Sequence, residues 1–330
     1  FASISFFMRQ PLIAEDYGDF ISVSGENIIL KNKESAVSVP ITKLSYIAIK
    51  GSFISFSSAV ILKCLKRNIP IILLDSLGRP YSVIRNIWEN DYIKQRQSEY
   101  SSHFKSVGFV SYLLKEKVRK QHQVLYYHIR SLRLNSREEI KTIEGYNFKI
   151  FLNSFNALAK RRVAVGEISR DIFLLEARAS RSYWRAFSKL FPKSLFPGRK
   201  KRHSEDPINK LLNYGYALLS SLILRDIIFT GLNPTVPLLH HRRTLDFPFV
   251  FDLMEPFRPI NDHIVLSFFH KQKKLIVDKN GQIKKSVLKR FRRFWFKEMA
   301  EPQPWSKSKK SIEKLIKELI EKYKTWLTRL

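Results

Sequence analysis

The hydrophobic pattern of this chain changes period near residue 90. Before that point apolar residues come in short alternating runs parted by polar turns. Ile21-Ser22-Val23-Ser24 alternates, Gly25-Glu26-Asn27 turns, and Ile28-Ile29-Leu30 resumes. Val37-Ser38-Val39-Pro40-Ile41 and Tyr46-Ile47-Ala48-Ile49 continue the pattern. A period of two sends alternate side chains to opposite faces, as half-buried strands require. Residues 11–88 therefore read as a small sandwich. One helix over residues 55–66 interrupts it, and an apolar strand over 69–74 leads into a turn over 75–80. Beyond residue 90 the spacing becomes three to four: Leu113, Leu114, Val118, His122 and Leu125, then Phe148, Phe151, Leu152, Phe155 and Leu158. Further helices are predicted over 171–191, from Asp206-Pro207 to about Thr230, from a first turn marked by Pro256 and Pro259, and over 284–299. The last helix carries the stripe Ile312, Leu315, Ile316, Leu319, Tyr323 and Trp326. The expected class is α+β. A small β-rich, sandwich-like N-terminal domain over residues 8–90 precedes a larger all-α domain over 91–330.

Charge indicates what such a fold would touch. Lys and Arg number 59 against 29 Asp and Glu, a net charge of +30, and that field attracts polyanions. Nucleic acid is the leading partner. An anionic membrane is the rival, but polar residues interrupt the apolar runs before they reach spanning length, so no membrane association is expected. The 25 Phe and 13 Tyr exclude a disordered basic tail. Cys64 stands alone, which excludes zinc sites built on cysteine pairs and fits a reducing cytoplasm. Met8 could be the natural start, leaving residues 1–7 as an extension without catalytic interest. The basic runs at 199–202 and 289–293 read singly as solvated faces, and Phe291, Phe294, Trp295 and Phe296 as a core face.

Chemistry concentrates in two places: Glu176 to Trp184, and His240-His241-Arg242-Arg243 leading to Asp252-Leu253-Met254-Glu255-Pro256-Phe257-Arg258-Pro259. Taken singly, each residue has a plainer reading. Glu176 after an apolar run more often pairs with Arg178 or Arg181, since a lone buried carboxylate is costly. His240 more often packs or caps, and Asp252 and Glu255 suit a helix start. Together, two or three carboxylates and one imidazole form a hard donor set suited to Mg²⁺ or Mn²⁺. The arginines nearby could bind phosphate in bidentate fashion. There is no His-Glu-x-x-His, no phosphate-cradling glycine loop and no nucleophile elbow.

At these residues the sequence resembles the CRISPR spacer-acquisition integrases, the Cas-one (Cas1) endonuclease family. The likeness covers nearly the whole chain from about Pro11. It is carried by Glu176-x-x-Ala179-x-Arg181-x-Tyr183-Trp184, by Phe196-x-Gly198-Arg199, and by Asp206-Pro207-x-Asn209-x-x-Leu212-Asn213-Tyr214-Gly215-Tyr216. Leu239-His240, the segment from Asp252 to Pro259, and Ile69-Pro70 through Leu74-Asp75-x-x-Gly78-Arg79-Pro80 add to it.

The resemblance implies metal ligands and catalytic residues at Glu176, His240 and Glu255, with Asp252 in support. Arg181 and Arg258 become weaker candidates for binding DNA phosphate. It implies Mg²⁺ or Mn²⁺ as cofactor and a homodimer formed through the N-terminal part. The partners it implies are double-stranded DNA (prespacer and CRISPR repeat or leader) and a small Cas-two (Cas2) protein. The activity implied is insertion of short duplexes into a CRISPR array by 3′-hydroxyl transesterification. The alternatives are a transposon-borne integrase with the same site, or a binding protein whose acids only pair with arginines.

Overall fold

The computed structural model describes residues 9–85, 91–131, 145–200, 205–240, 246–271, 283–306 and 309–328. The suggested start at Met8 therefore lies outside the described residues.

Two four-stranded sheets form the N-terminal part. In one, β2 (Phe20–Ser24), β3 (Asn27–Lys31) and β4 (Ala36–Pro40) make an antiparallel meander, and the short β6 (Ser55–Phe56) joins β2 in parallel. Gly25 supplies the positive φ (52°) of the tight β2–β3 turn. The other sheet runs in the order β1 (Gln10–Ala14), β5 (Leu44–Lys50), β7 (Ile71–Leu74), β8 (Pro80–Ile84). Its first three strands are parallel and β8 is antiparallel to β7. Helix α1 (Ser58–Lys66) buries Val60 and Cys64. It starts three residues later than its apolar pattern predicts, because Ser55 and Phe56 extend to pair with Phe20 and Ile21.

Strand β5 explains how this layer meets the helices. It is buried on both faces, as inner parallel strands are. Tyr46 and Ala48, with Ile72 and Leu74 of β7, join the apolar core of the helices. Ile47, Ile49 and Ile71 join a separate core with Ile21, Ile28, Val39 and Cys64. The alternation of β5 thus distributes side chains between two interiors. Strand β8 ends at Ile84, and the next described element is a helix beginning at Asp91.

The helical part comprises α2 (Asp91–Ser102), α3 (Ser106–Ser131), α4 (Phe148–Ala159), α5 (Val165–Ser188) and α6 (Pro207–Phe229). Next come α7 (Pro248–Met254), a 3₁₀ turn (Glu255–Phe257), α8 (Arg258–Lys271), α9 (Lys285–Ala300) and α10 (Ile312–Leu327). Pro259 stands in the first turn of α8, as expected, whereas Pro256 does not open a helix. The chain is already helical from Pro248, and Pro256 lies in the 3₁₀ turn that links α7 to α8. Proline lacks the N–H that an unbroken α-helix would need there.

Helix α6 is the central post. Its N-cap Asp206 accepts from Asn209 N at 2.8 Å, and Pro207 occupies the first turn. By length and composition α6 alone among the described helices could cross a membrane, though Lys210, Asn213, Arg225 and Asp226 interrupt its apolar run. Of its most apolar window, 78% is buried inside the protein. Where α6 meets α8 the backbones approach closely. A Cβ on Gly215 would lie 1.9 Å from Asn261 Oδ1, the atom that accepts from Trp295 Nε1 at 2.9 Å. This contact ties α6, α8 and α9 together.

Candidate active site

Three elements far apart in sequence meet in the site. Helix α5 presents Glu176, the 3₁₀ turn presents Glu255, and α3 presents Lys117. The ammonium of Lys117 lies 2.5 Å from Glu176 Oε1 and 2.7 Å from Glu255 Oε2. Ser180, one turn along α5, donates to Glu176 Oε1 at 2.7 Å. Arg258 Nε donates to Glu255 Oε1 at 2.8 Å, and its guanidinium lies 5.3 Å from the Tyr216 ring centre. Exposure of the side chains falls from 27% at Glu176 to 8% at Lys117 and 7% at Glu255.

Electrostatics follow from this packing. Burial opposes ionisation of both glutamates, and neighbouring cations overcome it. Against burial, Arg258 and then Lys117 hold Glu255 well below the usual carboxylate range, with a smaller contribution from His240. Against its own burial and the repulsion of Glu255, Lys117 lowers Glu176 as well. Burial works against the Lys117 charge too, but the two acids outweigh it and raise its pKa. Both carboxylates are therefore ionised and the lysine is charged.

The fourth component is an imidazole held from behind. Asp252, its side chain fully buried, accepts from His240 Nδ1 at 2.6 Å and from His240 N at 3.1 Å on Oδ1. Its Oδ2 accepts from Leu238 N at 2.7 Å and Leu239 N at 3.3 Å. A carboxylate only accepts, so Nδ1 donates a proton to Asp252 and Nε2 is the ring nitrogen left for another partner. That pairing is the usual support behind a metal-binding histidine.

Each sequence candidate now has a place. Glu176 and Glu255 share one cation, His240 acts electrostatically on Glu255, and Asp252 orients His240. The expected partners of Glu176, Arg178 and Arg181, are both exposed, and Lys117 takes that role instead. At 100° per residue they lie about 200° and 140° round α5 from Glu176. Arg258 has its Nε committed to Glu255. His241, Arg242 and Arg243 lie outside the described residues. Sequence reasoning missed Lys117, which is one of 59 basic residues and sits in no motif.

It also missed Asp262, which accepts from Tyr183 Oη at 2.9 Å and from Tyr216 Oη. Burial raises Asp262 to about 6 despite those two hydrogen bonds and the nearby arginines. Arg199 lies between Trp184 and Tyr216, 5.5 Å from each ring centre, and donates to Asn209 and Asn213 at 2.8 Å each. The motif residues around Tyr183, Arg199 and Asn209 thus build the wall that supports Arg258.

As the side chains stand, no three His, Cys, Asp or Glu groups among the described residues form a metal cluster. The Lys117 ammonium occupies the space between the glutamates. The donor set itself fits a hard divalent ion: two ionised carboxylates facing one cation, and an imidazole with Nδ1 fixed by a carboxylate. Glu255 Oε2 also remains without a hydrogen bond while shielded from water, since Lys117 meets it off the bonding direction.

Known proteins resemble this chain over most of its length. The family model for CRISPR associated protein Cas1 matches residues 12–293. CRISPR-associated endonuclease Cas1 1 of Francisella tularensis subsp. novicida is 27% identical over 269 residues, covering 79% of this chain and 80% of that protein. CRISPR-associated endonuclease Cas1 1 of Saccharolobus solfataricus is 28% identical over 266 residues, covering 76% and 68%. Among solved structures, a casposase bound to integration product superposes with a TM-score of 0.78 at 20% identity, covering 97% of this chain and 91% of that one. A CAS1 protein from Thermotoga maritima gives 0.73 at 16% identity, covering 97% of each. A chain of a Cas6-RT-Cas1–Cas2 complex gives 0.75 at 17% identity, covering 99% of this chain and 36% of that one.

Proposed function

The chain belongs to the CRISPR-associated Cas1 family, and on that premise we propose that it is a metal-dependent DNA integrase and endonuclease that inserts short duplexes into a CRISPR array. One observation carries the reading: two ionised glutamates from distant segments converge on a single cation beside an imidazole braced by a buried aspartate. Buried like charges are expensive to assemble, so such an arrangement calls for a cation in its function.

Glu176, Glu255 and His240 would hold Mg²⁺ or Mn²⁺. Such an ion, when bound, polarises a non-bridging phosphate oxygen and steadies the charge on the departing oxygen. The chain supplies the rest. Asp252 keeps His240 in one tautomer and one orientation, and Arg258 and the Asp262 wall keep Glu255 from swinging away. The 3′ hydroxyl of the incoming DNA attacks the target phosphodiester in line. One P–O bond forms, one breaks, the displaced 3′ oxygen leaves, and no covalent protein intermediate is needed. Water in place of the hydroxyl gives cleavage. The excess of 30 positive charges draws duplex DNA to the site. A homodimer and a Cas2 partner would present two such sites to the ends of one duplex; likeness to the Cas1-containing complex supports that partner.

The test is strand transfer with labelled duplex and Mn²⁺. Glu176→Ala, His240→Ala and Glu255→Ala should each abolish transfer and leave DNA binding largely intact. Full activity in any variant removes that residue from the site, and transfer in excess chelator overturns the metal mechanism. A second reading, integration of a mobile element by the same chemistry, is favoured by the superposition on the casposase. Preference for a CRISPR repeat over random target DNA decides between them.

A further inference from the structure

Lys117 belongs to none of the motifs, yet it is the one side chain that both glutamates of the site share. Its ammonium touches both glutamates, at 2.5 and 2.7 Å, and the side chain is 8% exposed. The other cation, Arg258, is fixed at the far oxygen of Glu255 and lies against Tyr216. Charge in the cluster balances as it stands, Glu176 and Glu255 against Lys117 and Arg258. A divalent ion added while the ammonium stayed would leave an excess of two positive charges around the buried Glu255. Ion and ammonium therefore exclude one another by charge as well as by volume.

We propose that Lys117 is a built-in stand-in for the divalent ion. Its ammonium holds the Glu176–Glu255 pair together in the metal-free protein and has to vacate that position when the ion binds. Lysine suits this duty. It is a compact point charge on a flexible four-carbon stem, whereas an arginine clamped like Arg258 gives up its fixed hydrogen bonds only with its whole planar group. Glu255 Oε2, which Lys117 meets without a proper hydrogen bond, is the oxygen most readily handed to an ion. Lys117 is thus a positioning residue with two consequences. It keeps two buried acids from repelling each other before the metal arrives, and it weakens metal binding by competing for the same oxygens.

This inference rests on the reading of Glu176 and Glu255 as metal ligands, and the experiment separates the two. Mn²⁺ binding to the full chain, without DNA, is followed by the electron paramagnetic resonance of free Mn²⁺ and by thermal melting. Lys117→Met should melt lower than the wild type without metal, bind Mn²⁺ about tenfold or more tightly, the scale on which one close charge pair alters binding, and recover more of its melting temperature with Mn²⁺. Lys117→Arg, which keeps the competing charge, should bind no more tightly than the wild type. Should Lys117→Met fail to fold, Lys117→Gln is read in the same way. Unchanged or weaker Mn²⁺ binding without the lysine overturns the proposal, because a purely structural counter-ion would leave its carboxylates misplaced when removed. Wild-type affinity in both Glu176→Gln and Glu255→Gln overturns the metal site itself, and the role of Lys117 with it.

Discussion

Asp252 gathers four donors onto two oxygens: the backbone N–H groups of Leu238, Leu239 and His240, and the Nδ1–H of His240. It fixes both the path of the loop that carries the histidine and the ring's orientation. Asp252→Asn keeps an acceptor but loses the charge behind the imidazole. Strand transfer should fall by about 10- to 100-fold, the usual cost of losing such support. Chemical denaturation should show a loss of about 1–3 kcal/mol, since buried N–H groups are left poorly paired. Glu176, His240, Asp252 and Glu255 could all be found in the sequence because each sits in a distinctive local string. Lys117 and Asp262 could not. A lysine on a basic helix has no local mark, and Asp262 becomes special only when Tyr183 and Tyr216, from two other helices, close over it.

At the scale of elements, the strength of the site depends on how tightly α6 and α8 pack. Gly215→Ala should be more damaging than a glycine-to-alanine change in a helix usually is, because the new methyl would strike Asn261 and unseat its bond to Trp295. A loss of about 1–3 kcal/mol is expected in urea unfolding, in place of the gain that helix propensity alone would bring. Asp206→Ala removes the cap of α6 and should cost about 1 kcal/mol in the same measurement. Gly215 stood out in the sequence as part of a motif, but only the close approach of two helices shows why a side chain is excluded there. Helix and strand types were readable from period, whereas ends were not. Strand β6 exists because Ser55 and Phe56 find an open edge on β2, and no local pattern announces an edge.

Across the whole molecule, pH should act mainly through groups remote from the glutamates. His128 Nε2 and His263 Nδ1 meet at 2.9 Å in the interior, beside Tyr127, Trp305 and Ser267, with His270 and Lys271 adding positive charge nearby. Burial first, then His270, lowers His128 to about 3 from its ordinary 6.5, and burial with His128 and Lys271 lowers His263 as well. Both rings stay neutral in the fold while the unfolded chain takes up protons below 6.5, so stability is full above that value and falls as the pH drops through the window beneath it. Asp262, raised by burial to about 6, contributes with the opposite sign between 3.8 and 6 and offsets part of that fall. Urea midpoints at neutral and mildly acid pH should therefore differ less in a His128→Gln/His263→Gln double variant than in the wild type.

By itself, the sequence determined the change from strands to helices, the net positive charge and four of the five acids and bases of the candidate site, because period, net charge and local strings survive without coordinates. Only the tertiary structure decided what those groups face: strand β5 shared between two cores, arginines turned to solvent where partners for Glu176 were expected, and a lysine between two glutamates. A charge is read from one residue, but its partner is chosen by packing among segments that the chain brings together from 59 and more residues away.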